Sequence, residues 1–446
     1  MNVHIEDTQK NVDNREIFKR YQDYKQTSLD WLDQIPDHWN EIKAKWACDK
    51  ITDGSHHSPS EDKSGDRIYI TVNDIEDDTI NFDGAKRISD EDFRELEKGG
   101  CRPNSGDVLL SKDGTIGKSL VVESNNFVVL SSIAILRPSN RFHPKFVKYF
   151  CDSKFCLEQM KSRLKGSALT RITLELIKEF DYLYPPKEEQ KAIVHFLDQK
   201  TEKIDRLIEQ KERLIELLEE KLISKLDALI DQDGDDWNQV HLNWITSKIG
   251  SGLTPDGGAE NYLDSGVLFL RSQNIHKFEL KTESPTFISK EIHDSMNNSK
   301  VESGDVLLNI TGASIGRAAI VPDSINEANV NQHVCIIRPQ EEYIRPEFLN
   351  LVMNSPYLQH QINSQQLGSS REGLNYNQVG ELSIPLPASD DVQAQIVEHY
   401  NEFYSDISKL IERVNSAIGK LKEYRKALIS HAVTGKIDVR EEVDAY

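Results

Sequence analysis

The chain carries one pattern twice. Trp39-Asn40-Glu41-Ile42, followed by Trp46, returns as Trp237-Asn238-Gln239-Val240, followed by Trp244. Ile51 and Gly54 return as Ile249 and Gly252, and Ser105-Gly106-Asp107-Val108-Leu109-Leu110 as Ser303-Gly304-Asp305-Val306-Leu307-Leu308. Ile116-Gly117, Arg137-Pro138, Phe146, Gly166-Ser167, Pro186 and Gln190 find Ile315-Gly316, Arg338-Pro339, Phe348, Gly368-Ser369, Pro387 and Gln393 in the same order. The spacing is roughly 200 residues and drifts by only a few, so one structural unit is used twice with small loop insertions. At 446 residues the chain is also too long for a single ordinary core.

Each copy has the same internal order. A β-rich stretch comes first, with strands expected at Ile68–Val72, Asp107–Leu110, Ser119–Val122 and Phe127–Leu136, and at their counterparts, such as Val267–Leu270. A short helical stretch follows, Pro144–Arg163 and Pro346–Ser364, then a short strand closed by prolines, Tyr182–Pro186 and Leu382–Pro387. A long helix ends each copy. The first, from 188 to 230, carries the apolar stripe Ile193, Leu197, Ile204, Ile208, Ile215, Leu218, Leu222, Leu226 and Leu229. The second, from 392 to 433, carries Ile396, Tyr400, Phe403, Ile407, Ile411, Val414, Ile418 and Leu421. Each would run roughly 60 Å. One narrow stripe per helix calls for one partner helix. An antiparallel pairing of the two within the chain is expected, with a homodimeric coiled coil as the alternative.

Charge narrows the function. A net charge of −20 speaks against a nucleic-acid binder unless the acid lies on the helices and lobe backs while basic groups line one face. Met1–Lys25 is polar and is not expected to be a signal peptide, and no run of about 18 apolar residues suggests a membrane span. The 5 cysteines form no CxxC pair, which suits reduced thiols in the cytoplasm. His56-His57 lacks companions for a tetrahedral metal set, and no Walker loop, Ser/His/Asp order or methyltransferase motif stands out. Asp90-Glu91-Asp92 reads as a helix N-terminus.

Several motifs together resemble the specificity subunit (HsdS) family of type I restriction-modification systems. Tyr24-Lys25, Trp31-Leu32, Ile35-Pro36 and His38-Trp39 resemble that family's entry to its first target-recognition domain. Ser105–Leu109 and its copy at Ser303 resemble a strand inside each such domain, and Pro185-Pro186 with Glu188-Glu189-Gln190 and Ile193 resembles the start of the central helix. Leu428-Ile429-Ser430 and Ala432-Val433-Thr434-Gly435-Lys436-Ile437 resemble the helix-ending signature. The second helix start, Ala388 to Gln393, lacks Glu-Glu-Gln, and the first twenty residues have no counterpart.

The resemblance implies an α+β chain: two pseudo-twofold-related α/β target-recognition domains joined by two long antiparallel helices forming a coiled coil. It implies a tail at 1–25, recognition domains at 26–187 and 234–388, spacer helices at 188–233 and 389–437, and a tail at 438–446. Each domain would read half of a bipartite double-stranded DNA target. Methyltransferase subunits and restriction/motor subunits would be partners, with S-adenosylmethionine, ATP and Mg on those partners and no cofactor on this chain. The competing readings are an enzyme with methyltransferase or nuclease chemistry in a lobe, and a coiled-coil adaptor.

Base edges are read by paired donors and acceptors, and phosphates by cations and backbone N–H groups. Three segments per copy offer these. After the first strong strand come Thr71 and Asn73, matched by Arg271, Gln273 and Asn274. The glycine loops carry Lys112 and Lys118, matched by Thr311 and Arg317, with a plain hairpin as the alternative. The third segment carries Lys165, Thr170 and Arg171, matched by Ser369 and Arg371. Scaffold positions match between copies and these segments do not, so two different half-sites are expected.

Overall fold

The computed structural model describes residues 18–76, 78–164, 171–230, 236–255, 257–283, 285–366 and 373–442. The chain divides into two compact units, Met1–Gln210 with Ser416–Tyr446, and Lys211–Asn415. Each long helix is therefore shared: the first half of one and the last half of the other belong to the first unit.

Both units have the same two sheets. In the first unit a four-stranded antiparallel sheet runs Ser119–Val121, Val108–Ser111, Ile133–Pro138, Cys48–Asp53. A three-stranded sheet runs Phe127–Val129, Arg67–Ile70, Lys86–Ile88, its first pair parallel. The second unit repeats these as Ala318–Ile320, Val306–Asn309, Val334–Pro339, Thr246–Ser251, and as Ala328–Val330, Val267–Leu270, Phe287–Ile288. Strand alternation divides the side chains between two cores. Val306, Leu308 and Ile310 face a core with the helix Pro346–Asn354, while Leu307 faces the second sheet through Ala319, Val330 and Ile336. Both faces are covered, so the strand is apolar throughout rather than alternating.

Two expected elements divide. The apolar run Phe127–Leu136 is two strands, because the chain changes sheets at Leu130–Ser132: Leu130 N–H donates to Ile70 O, and Ser131 N–H to Ser55 O. Burial on both sides of the corner hides it from hydrophobic periodicity. The helical stretch from Pro144 breaks at Ser153 into Pro144–Asp152 and Lys154–Leu164, and its copy breaks at Ser355.

One repeated ion pair explains two of the repeated motifs. Arg137 donates Nε and Nη2 to the two carboxylate oxygens of Asp107, each at 2.8 Å, and Arg338 does the same to Asp305 at 2.8 and 2.9 Å. The same carboxylates accept the N–H of Asn104 and Glu302, closing the Ser-Gly-Asp turn. Ser-Gly-Asp and Arg-Pro recur because each copy needs this bidentate clamp between neighbouring strands.

The long helices are Lys187–Ile230 and Asp390–Val433, each 44 residues, or about 66 Å at 1.5 Å per residue. The expected stripes are the inward faces. In the second unit Leu218, Leu222 and Ile407 cluster with Phe403 and Ile411, while Leu226 and Ile230 share a core with Ile396 and Tyr400. Ascending the first helix meets the second in descending order, so the pieces pair antiparallel. In the first unit Arg425 Nε reaches Asp205 Oδ1 across the pair at 2.9 Å. No helix of the described residues is long and apolar enough to cross a membrane.

The reading of 1–25 and 438–446 as tails is corrected where those residues are described. Tyr21 and Val439 are buried, and Asp438 N–H donates to Lys19 O at 2.8 Å. Residues 1–17 and 443–446 lie outside the described residues.

The Glu-Glu-Gln at the first helix start has a structural explanation. Gln190 accepts from His143 N–H at 2.8 Å and donates to the carbonyls of Arg141 and Pro185; Gln393 accepts from Arg345 N–H at 2.9 Å and donates to Tyr343 O. The glutamine is thus the shared clasp between lobe and helix. Glu189 belongs to the first unit alone. Its buried carboxylate accepts from Tyr21 Oη at 2.5 Å and Trp39 Nε1 at 3.0 Å, and meets His38 Nε2 at 2.8 Å. The second copy has Val392, which is exposed. Glu189→Ala orphans these groups, and is expected to destabilise the first unit by about 3 kcal/mol in denaturant unfolding. Val392→Ala is expected to cost less than about 1 kcal/mol.

Candidate nucleic-acid interface

The first two segments singled out in each copy come together at one end of the four-stranded sheet, joined by Arg171 in the first unit and by Gly373-Leu374, just past the third segment, in the second. In the first unit Lys118 Nζ donates to Ile75 O, joining the glycine loop to the turn at 71–74. Ile172 N–H donates to Lys112 O at 2.9 Å, and Asp113 bridges Arg171, joining the loop to the third segment. In the second unit Asn309 Nδ2 donates to Ser272 O at 2.9 Å, Leu374 N–H to Ile310 O at 2.9 Å, and Thr311 bridges Gly373. One rim is built twice from segments far apart in sequence.

The glycine before each rim is fixed by a close crossing of the two sheets. A Cβ on Gly54 would stand 1.9 Å from Val129 O, and one on Gly252 would stand 1.6 Å from Val330 O. Only a residue without a side chain lets the chain pass.

Several candidates are structural rather than free to read bases. Thr71 donates both its N–H and its hydroxyl to Asp74 Oδ2, each at 2.7 Å, and so caps the turn Val72–Asp74. Asn274 does the matching work from the other side: it is buried, accepts Arg271 N–H at 2.9 Å and donates to Lys281 O at 2.9 Å. Lys112 is 1% exposed, with Nζ 3.1 Å from Asp53 Oδ2. Burial pulls its pKa below that of an ordinary lysine, against the opposing pull of Asp53. Lys112 directly follows the strand Val108–Ser111, which ends one residue later than expected. Lys118 is spent on the Ile75 carbonyl, and Thr311 on His333 Nδ1 at 2.6 Å.

Other candidates stand at the rim. Asn73, Gln273 and Arg317 are exposed, at matching or neighbouring positions in the two copies. Arg171 is about as exposed as Asp113, with Nε 3.9 Å from that carboxylate, loose enough for a phosphate or base to compete. Arg271 lies over the Tyr262 ring at 5.5 Å and donates Nη2 to Thr286 Oγ1 at 2.7 Å, and its buried Nε has no acceptor among the described residues. Lys165, Thr170, Ser369 and Arg371 lie outside the described residues.

Further polar neighbours complete each rim. In the second unit Thr254 donates to Gln332, which meets His333 Nε2 at 3.2 Å, and Tyr376 shares a hydrogen bond with Ser251. In the first unit His56 Nε2 lies 3.7 Å from Asp53. The first rim presents the opposed charges Asp113 and Arg171. The second sets Arg271 and Arg317 among neutral polar groups such as Gln273, Thr254 and Gln332. The same frame thus presents different chemistry.

The comparisons agree with this duplicated build. Residues 38–217 and 234–419 each match the family described as type I restriction modification DNA specificity domain. The EcoBI type I restriction enzyme specificity subunit of Escherichia coli is 26% identical over 278 residues, which is 57% of this chain and 57% of that protein. The MjaIX specificity subunit of Methanocaldococcus jannaschii is 22% identical over 458 residues, covering 95% of this chain and 98% of that one. A chain in a solved structure concerned with complex assembly and conformational transition of the type I R-M system superposes with a TM-score of 0.68 at 16% identity. It covers 90% of this chain and 99% of its own length, and supports the fold. With one domain matched in each of the two repeated units, the chain belongs to the type I restriction modification DNA specificity domain family.

Proposed function

We propose that this chain is the DNA-reading subunit of a type I restriction-modification complex, each unit gripping one half of a bipartite duplex target. The observation that carries this is the rim built twice on matching scaffolds with unlike side chains, as two different half-sites require. The paired helices act as the spacer. Methyltransferase subunits dock on them, and restriction/motor subunits join for cleavage, bringing S-adenosylmethionine, ATP and Mg. The isolated chain does no chemistry.

Two experiments test this. Removing two turns from either long helix is expected to change the gap between the half-sites or abolish binding, read by methylome sequencing of a strain carrying the system. An unchanged gap contradicts the spacer role. Incubating the purified chain with duplex, methyl donor and Mg²⁺ is expected to give no turnover, and methylation or cleavage without other subunits contradicts the non-catalytic assignment.

A further inference from the structure

In each unit the exposed turn at the rim runs straight into a tight hairpin. Ile75 pairs with Ile80 in the first unit and Ile275 with Leu280 in the second. One backbone bond welds hairpin to turn in each: Asn81 N–H to Asp74 O at 2.8 Å, and Lys281 N–H to Asn274 O at 2.9 Å. Ile75 and Ile275 are fully buried. The base of the hairpin therefore cannot shift without moving the turn that presents Asn73 or Gln273.

The tips of the two hairpins are Asp78 and Phe278, the same position in the two copies, and both are anchored to the long helices by opposite chemistry. Asp78 takes Lys148, on the helix Pro144–Asp152, on one oxygen, and Arg425 Nη2, on the second long helix, on the other at 2.9 Å. Arg425 continues to Asp205 on the first long helix at 2.9 Å, and Lys148 to Asp152 at 2.9 Å. Phe278 instead sets its ring 5.7 Å from Tyr400 and 6.2 Å from Tyr404, both on the second long helix. Its φ is 66°, a left-handed conformation that a bulky side chain keeps only when its surroundings impose it, and its N–H donates to Ala318 O at 2.9 Å. An ion lattice and an aromatic cluster thus occupy one structural position, and both reach the second long helix, the first near its end at Arg425 and the second near its start at Tyr400 and Tyr404.

We propose that these hairpins are struts transmitting the position of the long helices to the reading turns, with Asp78 and Phe278 as positioning residues that set how sharply each half-site is discriminated. The proposal rests on the DNA-reading assignment above for its functional part only.

The test uses full-length Asp78→Asn, Asp78→Glu, Phe278→Ala and Phe278→Tyr. Amide exchange of residues 73–75 is expected to quicken about tenfold in Asp78→Asn while the Val108–Ser111 strand keeps its protection. Residues 273–275 are expected to respond likewise in Phe278→Ala, with Val306–Asn309 unchanged. The conservative variants Asp78→Glu and Phe278→Tyr are expected to restore most of the protection. In the assembled complex, discrimination between the selected target and a duplex altered in one half is expected to fall about tenfold for the corresponding half alone. Unchanged exchange at the turns, or loosening spread equally over the unit's strands, overturns the strut. If no bipartite target exists, the DNA-reading assignment falls, and amide exchange still decides the mechanical claim.

Discussion

Asp305→Ala is expected to cost the second unit about 3–5 kcal/mol, the range for leaving one member of a buried ion pair alone. Asp305 is 1% exposed and accepts three hydrogen bonds, two from Arg338 and one from the Glu302 backbone. The variant deletes the acceptor and leaves a guanidinium wedged between strands, with only the exposed Glu302 carboxylate to turn to. Asp107→Ala is expected to act the same way in the first unit, toward the lower end of the range, because Arg137 is more exposed than Arg338 and water can recover part of the loss. Denaturant unfolding followed by amide exchange checks both size and place. Protection is expected to drop at Val306–Asn309 for Asp305→Ala and at Val108–Ser111 for Asp107→Ala. A loss under about 1 kcal/mol in both variants would show that the clamp is an incidental surface pair.

Gly252→Ala is expected to be comparably severe, for a steric rather than an electrostatic reason. The added methyl would lie 1.6 Å from Val330 O and 2.3 Å from Val330 C. Those atoms belong to a strand paired in parallel with Val267–Leu270, so they cannot yield as a side-chain end would. Ordinary overpacking costs about 1–3 kcal/mol, and a backbone collision should reach or exceed the top of that range. The rim rests on this crossing, so discrimination of the second half-site should fall with stability. Gly54→Ala is expected to repeat the effect in the first unit, where the methyl would lie 1.9 Å from Val129 O. Gly250→Ala is the internal control: it meets nothing within 4 Å and is expected to stay within about 1 kcal/mol of the parent. Thermal melts of the three variants decide the matter, and equal melting points would contradict the crossing.

The repeat carried most of the fold, because two copies under one structural constraint keep the same residues wherever geometry is strict. Gly54 and Gly252 recur because a methyl cannot fit, and Asp107 and Asp305 recur with their arginines because the clamp needs both ends. That these motifs touch was not legible: a separation of thirty-odd residues says nothing about which strands become neighbours. The sheet change at Leu130 was hidden for the reason given above. At the rim, position was more legible than role. The first two segments of each copy meet where loops were expected, yet Asn274 and Lys112 are buried and Thr71 is spent capping its own turn. Thr71 had a readable signal, since Thr71-Val72-Asn73-Asp74 has the spacing of a capping box. Lys112 had none, because the Asp53 that neutralises it lies on another strand, two removed in the sheet.

The central claim is that each unit reads its own half of one target. The most direct measurement is selection of bound duplexes from a randomised library by the assembled complex, with the parent chain, with Asn73→Ala plus Arg171→Ala, and with Gln273→Ala. Two short conserved blocks separated by an unconserved gap are expected. The first pair of substitutions should relax one block and Gln273→Ala the other, by about 1–3 kcal/mol of discrimination each. A single uninterrupted block, or both sets of substitutions relaxing the same block, would contradict that claim.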